Sequence, residues 1–225
     1  MERKVVRGPC TTKGGGGLQG LVEAVERLRE TEVRGRVEAR MREFREVGAG
    51  SSSEIFKELC FCLLTANFSA ERCIEIQRAM GDGFLTLPEA LLIERLRELG
   101  HRFPRARAGY IVEARRLRSS LKEVLESFGN SRELRDWLVR EVRGVGYKEA
   151  SHFLRNVGRT DVAIIDRHIL NLLAEYGLIE RPRVLTRRRY LEIEGLLRGV
   201  AEMAGLSLGE LDLYLWYLET GKVLK

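Results

Sequence analysis

Apolar side chains recur every three or four residues along most of this chain, which is the pattern of amphipathic helices. The first predicted helix has an apolar face made of Leu21, Val25 and Leu28, and the second has one made of Val37, Met41 and Phe44. No stretch alternates between apolar and polar residues in a way that predicts a sheet. We interpret the short apolar run Val162–Ile165 as a buried connector between helices. The pattern therefore predicts an all-α protein.

Capping boxes indicate where several helices begin, because a Ser, Thr or Asn followed three residues later by Glu can satisfy the first free N–H groups of a helix. The signature occurs at Ser51–Glu54, Thr86–Glu89, Asn130–Glu133 and Ser207–Glu210. We expect the first of these helices to extend through Leu64. Residues 105–128 also have mostly helical spacing.

Residues 139–157 contain a glycine turn between two helical patterns, at Gly144 and Gly146. Glycine adopts positive φ easily and lets the backbone approach a partner closely, although an ordinary turn between helices also uses it. We expect the N–H groups of residues 148–150, at the start of the second helix, to lack acceptors and to favour an anion. The net charge of +6 and the pI near 9.3 make a DNA phosphate the expected anion.

Lys148 follows this turn, and Asp166 comes 18 residues later. Only seven of the 39 Lys and Arg residues are lysines, so a lysine here stands out against an arginine-rich background. Lysine, unlike arginine, can become a neutral amine and act as a nucleophile, although a phosphate-binding lysine would suit the same turn. Asp166 can manage the proton of the lysine and can also cap the helix that follows it. Together these residues indicate covalent chemistry on DNA.

The motif Val145-Gly146-Tyr147-Lys148, followed by Ile165-Asp166-Arg167-His168, resembles that of the helix-hairpin-helix DNA glycosylases with lyase activity. The tail Leu213–Lys225, together with Asn67 and the triplet His101-Arg102-Phe103, is similar to the archaeal-type (type 2) 8-oxoguanine DNA glycosylases. The resemblance runs from about residue 35 to the C-terminus. It implies that residues 18–225 form a two-lobed helical domain with a DNA-facing cleft. In that fold the N- and C-terminal segments pack together as one lobe.

The resemblance implies a reaction and assigns residues to it. Lys148 would attack the sugar C1′, displace 8-oxoguanine and form a Schiff base, after which β-elimination would cut the abasic strand with the help of Asp166. Gly144, Gly146 and nearby N–H groups would hold phosphate, and His168 is a further candidate phosphate contact.

The remaining candidates concern the flipped nucleotide. The resemblance implies that Asn67 fills the gap in the duplex or touches the orphaned base, although Asn67 equally suits a left-handed helix end. Phe103 and Trp216 are candidates to stack on bases, although apolar aromatics also suit the core. The resemblance implies that the terminal carboxylate of Lys225 accepts a hydrogen bond from the N7–H of 8-oxoguanine, an atom that is an acceptor in guanine.

The cysteines, Cys10, Cys60, Cys62 and Cys73, have neither zinc-site spacing nor the C-terminal four-cysteine pattern of iron–sulfur glycosylases, so we expect no metal and no cofactor. We expect free thiols in a reducing cytoplasm and no membrane span. Residues 1–17, which are basic and end in four glycines, predict a flexible arm. We expect a monomer that acts on damaged double-stranded DNA.

Two alternatives stay open. The chain could be a glycosylase and lyase for another oxidised base, such as an oxidised pyrimidine. It could also be a non-catalytic helix-hairpin-helix DNA-binding module, which would need the glycine turn but neither Lys148 nor Asp166.

Overall fold

The computed structural model describes residues 16–225, and within this range the chain is built from helices and loops without a strand. The α-helices are α1 Leu18–Arg29, α2 Val33–Ala49, α3 Ser52–Thr65, α4 Ala70–Met80, α5 Gly83–Thr86, α6 Glu89–Glu98, α7 Pro104–Ala114, α8 Leu121–Ser127, α9 Ser131–Glu141, α10 Tyr147–Asn156, α11 Arg167–Glu175, α12 Arg187–Ala204 and α13 Leu208–Thr220. The all-α prediction is confirmed. None of the described helices combines the length and apolar character needed to cross a membrane.

The chain divides into two compact units, which are described separately. The first unit combines the described residues up to Arg42 with Thr160–Leu224. The second unit contains Glu43–Arg159 and the last residue, Lys225. Each unit has apolar residues in its interior, among them Leu21 and Leu213 in the first and Phe56 and Phe153 in the second, all with 0% exposure.

In the first unit α1 packs against α12 and α13, and α11 packs against α13. Val162–Ile165 is a buried connector, as predicted, and side chains of α12 satisfy its backbone. The Tyr190 hydroxyl donates to the Ala163 carbonyl oxygen at 2.7 Å and accepts from the Ile165 N–H at 3.2 Å. Buried backbone outside a helix or sheet needs such partners, because an unpaired N–H or C=O is costly in the interior.

The predicted arm of residues 1–17 lies almost entirely outside the described residues, as does Cys10. At its described end, the Gly17 N–H donates to the Tyr176 carbonyl oxygen at 2.7 Å.

In the second unit α3 is the central helix and packs against α4, α5, α7, α8 and α10. Its residues from Leu59 to Thr65 are all buried, so this helix has no solvent-facing side over its last turns. A helix that is apolar on all sides belongs in the core, which explains why α3 organises its unit.

Three of the four predicted capping boxes or caps are present. Ser51 Oγ accepts from the Glu54 N–H at 3.3 Å, while Glu54 Oε2 accepts from the Ser51 N–H at 2.7 Å. Asn130 caps α9, and Ser207 forms a capping box with Glu210 at the start of α13.

The box predicted at Thr86–Glu89 is wrong. Thr86 is the last residue of α5, and its hydroxyl donates to the Asp82 carbonyl oxygen at 3.1 Å instead of accepting from the next helix. Pro88 occupies the N-cap position of α6 and provides no side-chain cap. The continuous helix expected over 105–128 is also broken, because a short 3-10 turn at Arg115–Leu117 separates α7 from α8.

Candidate active site

The glycine turn lies between α9 and α10 and forms the predicted helical hairpin. Gly144 has φ +85°, which side chains other than glycine rarely adopt, and a Cβ atom there would lie 2.3 Å from Tyr110 Cδ2. Gly146 precedes α10, and its N–H donates to Glu149 Oε2 at 3.2 Å. The turn therefore packs closely against α7, and the side chain of Glu149 caps one N–H group at the start of α10.

The expectation that the N–H group of residue 150 lacks an acceptor is wrong. The Ala150 N–H donates to the Gly146 carbonyl oxygen at 2.9 Å, so it is the first intrahelical donor of α10 and is not available to an anion. The reason is that α10 begins at Tyr147, one residue earlier than the expectation assumed. The free end of the helix therefore lies at the hairpin itself, before residue 150.

Lys148 lies in the first turn of α10 and is half-buried. Its Nζ lies 3.4 Å from Thr65 Oγ1 at the end of α3. The Thr65 hydroxyl donates its proton to the Cys62 carbonyl oxygen at 2.8 Å, so its lone pairs face the lysine. Within the described part of its unit, no carboxylate forms an ion pair or hydrogen bond with Lys148. Lys148 is therefore a half-buried amine at a helix N-terminus whose contact within its unit is a hydroxyl group.

The thiols near Lys148 are not competing nucleophiles. Cys62 and Cys73 are buried and free, as expected. Burial raises the pKa of Cys62 well above its usual value and that of Cys73 to about 12, against the opposing influence of Lys148. Both thiols therefore stay protonated at neutral pH and behave as apolar side chains.

Asn67 follows the end of α3 in the left-handed conformation, with φ +58°, and is the non-glycine residue with positive φ among those described. Its side chain is exposed. The backbone before it is held by two side chains: Arg107 donates to the Ala66 carbonyl oxygen at 2.6 Å, and His101 Nε2 lies 3.1 Å from the Leu64 carbonyl oxygen. The left-handed helix end is therefore present, and it leaves the amide of Asn67 accessible.

Phe103 is only half-buried. It therefore does not lie in the core, the position that its apolar character favoured. The guanidinium groups of Arg102 and Arg107 lie 5.0 Å and 5.8 Å from the centre of its ring. The Phe103 N–H donates to His101 Nδ1 at 3.0 Å. Since Nδ1 accepts, Nε2 of this imidazole carries the proton and donates to Leu64, which requires neutral His101.

Asp166 caps α11 in the first unit, as its position predicted. Its Oδ1 accepts from the N–H groups of His168 at 2.8 Å and of Ile169 at 3.0 Å. These two bonds fix the orientation of the carboxylate and leave Oδ2 without a role in the cap.

His168 and Trp216 are neighbours in the same unit, which the sequence did not indicate. Their rings meet edge to face with centroids 4.8 Å apart, and His168 Nδ1 lies 3.6 Å from Glu219 Oε1. Both Trp216 and Glu219 lie on α13. Among the described residues, Trp216 Nε1 and His168 Nδ1 have no hydrogen-bond partner although they are buried.

The side chain of Lys225 is held by residues that the sequence did not indicate. Its Nζ donates to Glu58 Oε2 at 2.8 Å and to Gln77 Oε1, and it lies 4.3 Å from the centre of the Phe61 ring. A signal was available: Glu58 is a carboxylate in the otherwise apolar stretch of α3, and a buried charge needs a partner.

The candidate residues therefore fall into two sets. The second unit holds the hairpin glycines, Lys148, Asn67, Phe103 and Lys225, and the first unit holds Asp166, His168 and Trp216.

The chain has the helix-hairpin-helix fold, which it shares with solved structures of distantly related proteins. A non-covalent endonuclease III–DNA complex is similar with a TM-score of 0.56 at 16% identity, over 88% of this chain and 81% of that one. The Helicobacter pylori 3-methyladenine DNA glycosylase bound to 1,N6-ethenoadenine is similar with a TM-score of 0.58 at 14% identity, over 89% and 94%. At these identities the likeness concerns the fold alone.

Closer relatives narrow the class to a family. The family model of 8-oxoguanine DNA glycosylase matches residues 37–206. The 8-oxoguanine DNA glycosylase/AP lyase of Methanocaldococcus jannaschii is 56% identical over 91% of this chain and 99% of its own length, and that of Korarchaeum cryptofilum is 56% identical over 93% and 100%. The crystal structure of the M. jannaschii enzyme in complex with a 15mer DNA containing 8-oxoguanine is similar with a TM-score of 0.89, over 91% of this chain and 99% of that one. The chain belongs to the 8-oxoguanine DNA glycosylase family.

Proposed function

We propose that this protein removes 8-oxoguanine from damaged double-stranded DNA and then cleaves the abasic strand. Both activities are named for its relatives, and one relative has been crystallised with DNA that contains this lesion. The observation that carries the proposal is Lys148, an amine without a carboxylate partner in its unit, placed in the first turn of α10 directly after the hairpin. A hairpin that only bound DNA would not need this lysine.

The proposed reaction begins with the neutral amine of Lys148. Its lone pair forms a bond to the sugar C1′, while the bond from C1′ to the base breaks and its electron pair leaves with 8-oxoguanine, which gains a proton. Opening of the sugar ring then gives a Schiff base between Nζ and C1′. Loss of a C2′ proton and departure of the 3′ phosphate cleave the strand, and water finally releases the lysine.

Asp166 is proposed to assist the proton transfers and to stabilise positive charge on the sugar. What supports this is the way the carboxylate is held: the helix cap occupies Oδ1 and leaves Oδ2 for other chemistry. Capping and catalysis are therefore compatible at this residue.

We also propose that Gly144 and Gly146 bring the hairpin backbone against a DNA phosphate and that His168 contacts another phosphate. Asn67 is proposed to enter the gap left by the flipped nucleotide or to touch the orphaned base. Its exposed side chain, on backbone that is firmly held, supports this role.

Recognition of the base is proposed to use Phe103, Trp216 and the carboxylate of Lys225. The half-exposed ring of Phe103 and the unpartnered indole Nε1 of Trp216 support the two aromatic assignments. A terminal carboxylate can accept from the N7–H of 8-oxoguanine and repels the N7 lone pair of guanine. One such buried hydrogen bond corresponds to about 1–3 kcal/mol, or roughly 10–100-fold discrimination.

We further propose that the protein acts as a monomer in the cytoplasm. The three described cysteines are free and buried, which suits a reducing compartment.

Borohydride trapping tests the mechanism and the lesion together. The protein is incubated with a duplex containing one 8-oxoguanine, with an undamaged duplex and with an abasic duplex, and covalent complexes are detected on a denaturing gel. We expect a complex with the first and third duplexes that disappears in Lys148→Gln. The control Lys122→Gln, which changes a partly exposed lysine of the same unit, should trap normally.

Other outcomes of this experiment are equally informative. Trapping by the Lys148→Gln variant would contradict the lysine assignment. A complex with the abasic duplex alone would leave the lyase but favour another oxidised base. DNA binding without any complex would favour a non-catalytic module.

A further inference from the structure

The side chain of Lys225 is docked against the second unit, although chain ends usually fray. Only 18% of its side chain is exposed, and its ammonium group contacts Glu58, Gln77 and the face of Phe61. Ordering a lysine side chain costs rotamer entropy, so it stays ordered only where such contacts compensate for that loss.

Glu58 is a carboxylate built to receive this ammonium group. Its side chain is 5% exposed, and Asn156 Nδ2 donates to Oε1 at 2.7 Å. Asn156 is itself oriented by Arg155, which donates to Asn156 Oδ1 at 3.0–3.1 Å. Oε2 accepts from Lys225 and from Gln77 Nε2, at 2.8 Å and 3.1 Å. A buried carboxylate is tolerated only when it is paired and hydrogen-bonded, and Lys225 supplies the counterion here.

Gln77 is oriented so that it must present an oxygen to Lys225. Its Nε2 donates to the Lys57 carbonyl oxygen and to Glu58, both at 3.1 Å. Because the amide nitrogen is used on that side, Oε1 faces the ammonium group.

His152 completes the surroundings of the last residue. It is buried, its ring meets Phe61 edge to face at 5.6 Å, and it interacts with the backbone of Lys225. Burial lowers the pKa of His152 well below its usual value, so the imidazole is neutral and adds no positive charge beside the ammonium group. The four side chains around Lys225, namely Glu58, Phe61, Gln77 and His152, are called the lysine dock below.

We propose that the lysine dock positions the terminal carboxylate of Lys225 for recognition of the damaged base. This inference rests on the proposed role of that carboxylate in binding 8-oxoguanine. The dock residues are positioning residues: they hold the side chain of the last residue, so its carboxylate, a few bonds away, is restrained before DNA binds. A group held in place beforehand discriminates better than one that must be ordered on binding, because the ordering cost has already been met.

The test compares two reactions of the full-length protein. Excision of 8-oxoguanine requires recognition of the base, whereas cleavage of a duplex with a preformed abasic site requires Lys148 but no base. We expect Glu58→Gln to slow single-turnover excision by about tenfold or more, the effect of losing one charge-assisted hydrogen bond. Abasic cleavage should change by less than about twofold. The amide of a glutamine has one accepting oxygen, so it cannot accept hydrogen bonds from Asn156, Gln77 and Lys225 as both carboxylate oxygens of Glu58 do.

Lys225→Met provides a second variant that leaves the sequence of α3 unchanged. It keeps the terminal carboxylate and the apolar stem but removes the ammonium group, and we expect the same selective loss as in Glu58→Gln. Asp82→Asn is the matched control, because it removes a carboxylate that pairs with Lys57 at 2.9 Å but is 75% exposed and lies outside the dock. Both reactions of the control should proceed at the normal rate.

A double-mutant comparison separates positioning from general stability. In a chain that lacks Lys225, excision should be slow, and adding Glu58→Gln should cause no further loss, because Glu58 acts through Lys225. An additional loss in the truncated chain, or an equal loss of abasic cleavage, would overturn the positioning role.

The two proposals fail in different ways. If removal of Lys225 slows excision but Glu58→Gln and Lys225→Met do not, the carboxylate role stands and the dock is wrong. If removal of Lys225 leaves excision unchanged, the terminal carboxylate does not recognise the base, and the role of the dock fails with it.

Discussion

Gly144 is restricted to glycine by two independent features of the hairpin. Its φ of +85° is costly for a residue with a Cβ atom, and that atom would overlap the Tyr110 ring. The first constraint comes from the backbone of the turn, and the second comes from the approach of the turn to α7. Gly144, which the sequence predicted to lie in a turn, is therefore also required for the close contact between this turn and Tyr110.

We expect Gly144→Ala to destabilise the protein by about 1–3 kcal/mol, the range for a strained backbone combined with a steric overlap. Urea denaturation would measure this change. Gly199→Ala is the control, because Gly199 lies within α12 with no atom near its missing Cβ, and alanine there should stabilise the helix by up to about 1 kcal/mol. Equal stability of the Gly144→Ala variant and the unmodified protein would contradict the account of the hairpin.

At the scale of the helices, α3 connects several candidate functions in the second unit. It carries Glu58 of the lysine dock, it ends at Thr65 beside Lys148, and it leads into Asn67. The capping box at Ser51 stabilises its N-terminus, and Arg107 and His101 hold the carbonyl groups near its C-terminus. A change at either end therefore reaches residues proposed to act on DNA.

Removal of the α3 cap by Ser51→Ala should cost about 1 kcal/mol of stability, because a free N–H at the helix start loses its acceptor. Thr86→Ala is the matched control, since the box predicted there does not form and the exposed Thr86 hydroxyl only donates to the Asp82 carbonyl oxygen. Its effect should stay below about 0.5 kcal/mol. Denaturant titrations of both variants would measure the difference, and a larger cost at Thr86 than at Ser51 would reverse the assignment.

At the scale of the whole molecule, two buried neutral histidines make stability depend on pH. Burial lowers the pKa of His101 below 6.5 and that of His152 well below it. The positive charge of Arg107 adds to the first shift, and those of Arg155 and nearby lysines add to the second. The unfolded chain therefore binds more protons than the folded chain as the pH falls below 6.5. Carboxylates such as Glu38 and Glu54, whose pKa values are lowered from 4.5, change the free energy of unfolding only at lower pH, where they become protonated.

We expect the free energy of unfolding to be highest above pH 6.5 and to fall between pH 6.5 and 5.5, by up to about 1.4 kcal/mol for each of the two histidines. Urea denaturation at pH 7.5, 6.5 and 5.5 would show the loss. His152→Gln should reduce this slope because one of the two groups no longer titrates. A slope that is unchanged in this variant would show that His152 is not the source.

Local sequence determined much of what was predicted correctly. Helical periodicity identified the all-α fold, and three helix starts followed from caps because a cap depends on residues only three positions apart. The hairpin was recognisable for the same reason, since the glycines and Lys148 are close in the chain. The wrong prediction at Thr86–Glu89 shows the limit of local patterns. The Thr86 hydroxyl donates to the Asp82 carbonyl oxygen at the end of α5, so a sequence that fits a capping box does not cap the next helix.

Tertiary structure alone decided which distant residues meet. The sequence marked Lys225 but not Glu58 and Gln77, which lie 167 and 148 positions away and share its ammonium group. In the same way it marked His168 and Trp216 separately, and only the packing of α11 against α13 brings their rings together. Periodicity and caps report interactions within one or two helical turns, whereas burial of a carboxylate or contact between two rings depends on how complete helices pack.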